Sequence, residues 1–310
     1  MSTSGRKLGA RADVDVGATG TVPGIVDLMS WNVGGGIRVT RVVEHVMPFA
    51  VDFFVEASPA DLAQDWLKPD FVSPTGQYLM ALQSFVIEVA RLRILVDTGI
   101  GNFKSRPEIP EFDQQDRPFL AKLAAAGFAP ETIDLVVCTH LHVDHVGWNT
   151  VLDAGEWSPT FPNARYLFAE PDIDFFANSD DSLHRSAFVD SVRPIIAAGL
   201  VDRVDGNLAV SSEVELRSTP GHTPGHHSVW IGDRAVITGD VLHHPIQCSH
   251  PEWTGRGDAD PELAATTRRA LLNDAASSGA LVLGTHFAGS AAGHVRYTDS
   301  GYRFEPVEAG

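Results

Sequence analysis

Cysteine is nearly absent from this chain: Cys138 and Cys248 are the only two among 310 residues. A disulfide framework is therefore not what stabilises it, and a reducing compartment is the natural expectation. Basic side chains are also scarce, with 23 Lys and Arg against 40 Asp and Glu, a formal charge of -17. That balance works against non-specific attraction to phosphate backbones or anionic lipid, so neither nucleic acid nor membrane is an expected partner. No uninterrupted apolar run approaches a membrane span. The opening stretch MSTSGRKLGARADVDVGATGTVPG is small and polar and lacks the apolar segment of a secretory signal. Residues 1–24 read as a flexible tail, residues 25–310 as one domain, and the location as cytoplasmic.

What is present is a 44% hydrophobic content, enough for a sizeable core. Short β-rich runs alternate with helical patterns, which predicts an α/β layered fold. Strands are expected over 37–43, 84–89, 93–96, 133–138, 164–168, 213–217, 228–231, 235–238 and 280–283, most of them rich in Val, Ile and Leu. A helix is expected over 117–126, with Asp116 as its cap and Gly127 as its stop. Another begins with Asp260 and Pro261 and ends before Gly279.

Histidines gather where these strands end. THLHVDH carries His140, His142, Asp144 and His145 directly after an apolar run. Residues two apart on an extended chain face the same way, so His140 and His142 can present their imidazoles together. Neutral imidazole is the commonest metal ligand, and four donors this close suit two adjacent ions better than one. TPGHTPGHH follows another strand, and its paired Pro-Gly turns can aim His222 inward, while His226 and His227 read as structural. ITGDVLHHP delivers Asp240 and LVLGTHF delivers His286, each just past an apolar run. A carboxylate has two oxygens and can bridge two cations. Taken singly, Asp240 could equally be a turn aspartate and His286 a core histidine.

In order, His140, His142, Asp144, His145, His222, Asp240 and His286 resemble the ligand pattern of the metallo-β-lactamase superfamily, over about Ile37 to His294. The resemblance implies an α/β fold, the αββα sandwich of two mixed β-sheets flanked by helices, with two divalent metal ions at one edge and zinc the expected metal. His140, His142 and His222 would hold one ion, Asp144, His145 and His286 the other, and Asp240 would bridge them. Asp97, in LVDTG, would orient a ligand from behind; read alone it is a turn aspartate before Gly99.

Within the superfamily, Asp240 departs from the true β-lactamases and His142 from the flavodiiron proteins. Only about two dozen residues follow His286, so the glutathione-binding domain of the hydroxyacylglutathione hydrolases is not expected. Nothing basic supports a nuclease. The remaining branch holds lactonases and organophosphate triesterases. Where the lactonases commonly carry a tyrosine, three residues after the bridging aspartate, this chain has His243, and GDVLHHPIQ is more similar to the methyl parathion hydrolase group.

The expected activity is opening of a lactone or cleavage of a carboxylic ester, a small-molecule substrate, by a hydroxide shared between the ions. A triesterase and a non-catalytic metal-binding scaffold are the alternatives. The catalytic side chains would be Asp144, as a proton shuttle to the leaving group, and His243, on the oxyanion or the leaving group; for His243 a supporting or rim position is equally open. Trp148 and Trp253 wall an apolar pocket or pack in the core. Cys248 reads as incidental, and a homodimer is left open.

Overall fold

The computed structural model describes residues 28–299 and 301–307. The expected tail at 1–24 lies outside the described residues. In chain order, β1 (Leu28–Asn32), β2 (Arg38–Phe49), β3 (Tyr78–Val89), β4 (Leu92–Val96) and β5 (Leu135–Val137) lie side by side. A small hairpin follows, β6 (Thr150–Asp153) and β7 (Glu156–Pro159), before β8 (Arg165–Ala169) and β9 (Val201–Val204) complete this first seven-stranded sheet. The second seven-stranded sheet is β10 (Leu208–Ala209), β11 (Val214–Ser218), β12 (His227–Ile231), β13 (Ala235–Ile237), β14 (Leu281–Leu283), β15 (Ala292–Thr298) and β16 (Gly301–Pro306). Both sheets are mixed: β4, β5, β8 and β9 run parallel, as do β13 and β14, and the other neighbours are antiparallel.

Side-chain alternation along the strands builds the layers. Phe85, Ile87, Ile94, Val96 and Val137 share one apolar cluster with Leu216, Val229 and Ile231 of the other sheet. Their neighbours Val86, Leu95 and Val136 face the opposite way, onto a second cluster. There they meet Phe119 and Leu123 of α1 (Phe119–Ala125), Ile173 and Phe176 of α2 (Glu170–Ala177), Ala187 of α3 (Ser182–Ala187) and Ile195 of α4 (Arg193–Ala197). Past the short α5 (Ile246–Ser249), α6 (Pro261–Ser278) adds Leu271, Leu272 and Ala275 to the first cluster. The result is the expected αββα sandwich. No helix among the described residues is long and apolar enough to cross a membrane.

Several boundaries differ from expectation. The first helix begins at Phe119, and Asp116 does not cap it: Pro118 occupies the cap without a side-chain bond, and Asp116 accepts from Asn102 Nδ2 at 3.3 Å instead. Asn102 Oδ1 also takes the N–H of Arg117, at 2.8 Å, so both residues are committed to the preceding loop. The second helix is as expected, with the Asp260 side chain accepting from Leu263 N and Gly279 left-handed at φ 72°. β2 and β3 extend well beyond the expected segments, and β5 is shorter.

Candidate metal centre

Strand register brings the histidine clusters together. In the second sheet, Ile237 of β13 pairs with Leu283 of its parallel neighbour β14. Asp240 and His286 each lie three positions beyond that pair, so both emerge at one edge. In the first sheet, Val96 of β4 pairs with Val137 of β5, and Asp97 and His140 follow at the same end. Hydrogen bonds then stitch the two edges: His227 N donates to Thr139 O at 2.8 Å and Ala81 N to His286 O at 2.9 Å. Four segments far apart in sequence thus share one site.

The donors form two groups, His140, His142, His222 and Asp240 in one and Asp144, His145 and His286 in the other, with the donor atoms of each group within 4.8 Å of one another. Asp240 lies between them. Its Oδ2 is 3.3 Å from His222 Nε2 and 3.7 Å from His140 Nε2, while Oδ1 is 3.3 Å from His145 Nε2 and 3.1 Å from His286 Nε2. Asp144 reaches His145 and His286 at 3.8 and 3.7 Å.

Acceptor-only partners fix which ring nitrogens face inward. His286 Nδ1 donates to the carbonyl of Ala81 at 2.8 Å, His145 Nδ1 to Asp97 Oδ2 at 3.0 Å, and His222 Nδ1 to Asp258 Oδ1 at 2.8 Å. The Thr139 hydroxyl spends its own proton on Asp97 Oδ2, at 2.9 Å, so His140 Nδ1, 3.1 Å away, must be the donor in that pair. Each of these four rings therefore turns Nε2 toward the cluster. Asp97 itself sits at φ 56°, a conformation Asp tolerates better than most residues, and its other oxygen takes the Thr139 N–H at 2.7 Å.

Bare nitrogens do not converge without a cation or a proton among them. His140 Nε2 and His222 Nε2 both lie 2.9 Å from His142 Nδ1, and His145 Nε2 lies 3.2 Å from His286 Nε2. Asp240 Oδ1 is buried with no hydrogen-bond partner among the described residues, an expensive state for a carboxylate oxygen unless an ion meets it. Burial opposes charge on His222, yet its contacts with Asp240 and Asp258 lift it to about 9. His145 and His286 are lifted against burial by Asp240 as well, whereas burial holds His140 and His142 well below the ordinary imidazole range. Burial would likewise raise the Asp240 carboxyl, but the imidazoles of His145, His286, His243 and His140 hold it well below its usual range. The cluster is built for positive charge, and a donor set of imidazoles and carboxylates fits divalent metal ions.

His243 joins the site, with Nε2 3.3 Å from Asp240 Oδ2 and its ring parallel to that of His286. The two tryptophans do not. Trp148 is buried against Phe119 with its Nε1 donating to Glu44 Oε1 at 2.7 Å, and Trp253 is buried between His250 and Phe54. The rings beside His243 are Phe53 and Phe54, at 5.3 and 6.3 Å between centroids. Cys248 is buried in the core beneath the second sheet. His226 is structural, as expected, though it holds a residue of the centre: Asp240 N donates to its Nε2 at 2.8 Å. Asp258 and Arg268 carried no sequence signal and both stand directly behind the site.

Comparison with known proteins agrees with this fold. Residues 82–286 match the family model of the Metallo-beta-lactamase superfamily. The N-acyl homoserine lactonase AiiA of Bacillus thuringiensis subsp. kurstaki is 27% identical over 205 residues, covering 60% of this chain and 73% of that protein. Two solved structures share the fold. AidC, a dizinc quorum-quenching lactonase, superposes with a TM-score of 0.76 at 20% identity over 92% of this chain and 99% of that one. The hydrolase AbOPH superposes with a TM-score of 0.75 at 21% identity over the same shares.

Proposed function

This chain belongs to the metallo-beta-lactamase superfamily, and from that premise we propose that it is a dinuclear metal-dependent hydrolase that opens lactones or cleaves carboxylic esters. The observation that carries the reading is the single carboxylate of Asp240 lying between the two donor groups, Oδ1 against His145 and His286 and Oδ2 against His222 and, at 3.3 Å, also His286. His140, His142 and His222 would hold one ion, Asp144, His145 and His286 the other, and Asp240 both. Two such ions, zinc by expectation, would supply Lewis acidity and would lower the pKa of a bound water toward ~7.

The chain's own side chains divide the remaining work. Asp97, Thr139 and the Ala81 carbonyl hold the Nδ1 protons of His140, His145 and His286, so that each lone pair stays directed inward. His243 has no hydrogen-bond partner at Nδ1 among the described residues, which favours the proton on Nε2, where it can be donated to a negative oxygen beside Asp240. Asp144 is the more open of the two carboxylates, with 16% of its side chain exposed. It sits where a proton can pass to the leaving-group oxygen. Phe53, half-buried, gives the His243 side of the site an apolar face, with the fully buried Phe54 packed against it.

The test is metal analysis of the purified protein followed by a panel of lactones, aryl esters, thioesters and phosphotriesters. Hydrolysis of lactones or aryl esters that chelation abolishes supports the proposal. The GDVLHHPIQ segment, with His243 in place of the lactonase tyrosine, keeps a triesterase as the second reading, and the phosphotriester arm of the panel tests it.

A further inference from the structure

The loop that carries His222 is held from behind by the start of α6. Ala259 N donates to His222 O at 3.0 Å and Asp260 N to Gly221 O at 2.9 Å. Gly221, at φ 132°, is so close to this helix that a Cβ there would collide with the backbone of Ala264. The segment between, residues 255–258, runs directly beneath the imidazole. Asp258 ends it, with a side chain that is fully buried.

Every contact of that carboxylate is committed. Oδ1 accepts from His222 Nδ1 at 2.8 Å. Oδ2 accepts from Gly255 N at 2.9 Å and from the Arg268 guanidinium at 3.5 Å. Arg268, also fully buried, donates in addition to the carbonyls of Val241 at 2.7 Å, Pro251 at 3.0 Å and Trp253 at 2.8 Å. One guanidinium thus ties the residue next to Asp240 and the 251–253 loop to the carboxylate behind His222. A buried carboxylate beside a buried guanidinium stays ionised, and an ionised carboxylate only accepts.

We propose that Asp258 is the positioning residue of the first donor group, fixing the His222 tautomer with its proton on Nδ1 and its Nε2 lone pair toward the ion. This rests on the dinuclear reading above. It gives each donor group one histidine backed by a carboxylate, Asp97 behind His145 and Asp258 behind His222. Asp97 follows a sequence pattern expected of such sites, whereas Asp258 lies 36 residues beyond its histidine in a Gly-rich loop.

Asp258→Asn is the informative change because it keeps the shape. If its NH2 faces Gly255 N–H and Arg268, donors confront donors. If the NH2 faces His222 instead, Nδ1 must accept, and the proton moves to Nε2, where it blocks the ligand lone pair. Either way one ion should bind ~10–100-fold more weakly in chelator competition, the effect expected of an outer partner, while the other ion is retained. Asp258→Glu, which keeps the charge and the acceptor, should recover part of the loss. Independently of any variant, 15N-histidine NMR of the cadmium-loaded wild type should show His222 protonated on Nδ1 and coupled to the metal through Nε2.

A wild type that takes up no divalent ion would overturn the metallo-hydrolase reading itself. A wild type that holds two ions, together with an Asp258→Asn protein whose competition curve is unchanged, would overturn this inference alone. If the variant does not fold, the NMR decides, and a His222 coordinated through Nδ1 rejects the proposal.

Discussion

The backbone N–H of Asp240 donates to Nε2 of His226 at 2.8 Å, and His226 Nδ1 in turn faces the Thr219 hydroxyl at 2.9 Å. With Nε2 accepting, the ring proton sits on Nδ1 and no lone pair remains for a metal. His226 instead sets where the Asp240 carboxylate lies. Gly239, at φ 54°, makes the close approach possible, since a Cβ there would come within 2.5 Å of His226 Nε2. His226→Ala should therefore strand a buried N–H, at a cost of ~1–3 kcal/mol, and lower both the melting temperature and the metal content. The His227 ring bonds to the Gly225 and Gly206 carbonyls, away from the donor groups, so His227→Ala should leave the metal content unchanged. Full metal content in the His226 variant would separate that residue from the centre.

Metal and proton compete for the same nitrogens. His222 is lifted to about 9, and His145 and His286 are lifted too, so at neutral pH the ion-free cluster holds protons that an entering ion must displace. The sign follows directly. A raised pKa means that the protonated state dominates below it, so apparent metal affinity should rise with pH, with the His222 contribution levelling off above about 9. Calorimetric titrations in buffers of different ionisation enthalpy should show release of roughly one proton or more per chain at pH 7, and metal analysis should find close to two ions. A pH-independent affinity, or a single tight ion under replete conditions, contradicts the assignment.

Asp240 and His243 stand 3.3 Å apart, yet their replacement should have unequal consequences. Asp240→Asn removes the charge that both donor groups share, and a loss of at least ~100-fold in kcat/KM is expected. His243→Ala removes one N–H donor and should cost less. Matched, mild losses in kcat/KM would mean that Asp240 bridges nothing.

The candidate donor cluster was legible because its residue types are rare in other roles at such spacing and because each stands just past a β-rich run. The partners behind the ligands were less so. Asp258 looks like any loop aspartate until tertiary contact places it under His222, and the Ala81 carbonyl that holds His286 has no sequence identity to read. The helix start was misread because Asp116 has a capping side chain but a competing partner, Asn102, fourteen residues earlier. β15 and β16 escaped because exposed positions such as Arg296, Tyr297 and Arg303 interrupt their apolar pattern. Strand ends therefore carried the chemical signal, while outer strands and outer partners depended on the assembled fold.

Under the proposed function, substrate preference turns on what surrounds His243. Trp148 and Trp253, which the sequence left open as pocket wall or core, are spent on core packing, as is Phe54, so the accessible apolar surface beside His243 comes from Phe53. Phe53 is only half-buried and also meets Phe49 edge-on at 5.4 Å, so aromatic surface runs from His243 toward solvent. An ester with a neutral, partly apolar group can lie along these rings while its carbonyl meets the centre; a polyanion gains nothing from them and meets a chain of charge -17. Lactones or aryl esters should be hydrolysed best, with weaker activity on aryl phosphotriesters, whose tetrahedral centre resembles the ester transition state. Phe53→Ala should raise KM for the apolar substrates more than it lowers kcat, the mark of lost ground-state binding. A fully metal-loaded enzyme that ignores the whole ester and lactone panel but turns over a phosphodiester or a β-lactam efficiently would show that the Phe53 wall does not choose the substrate.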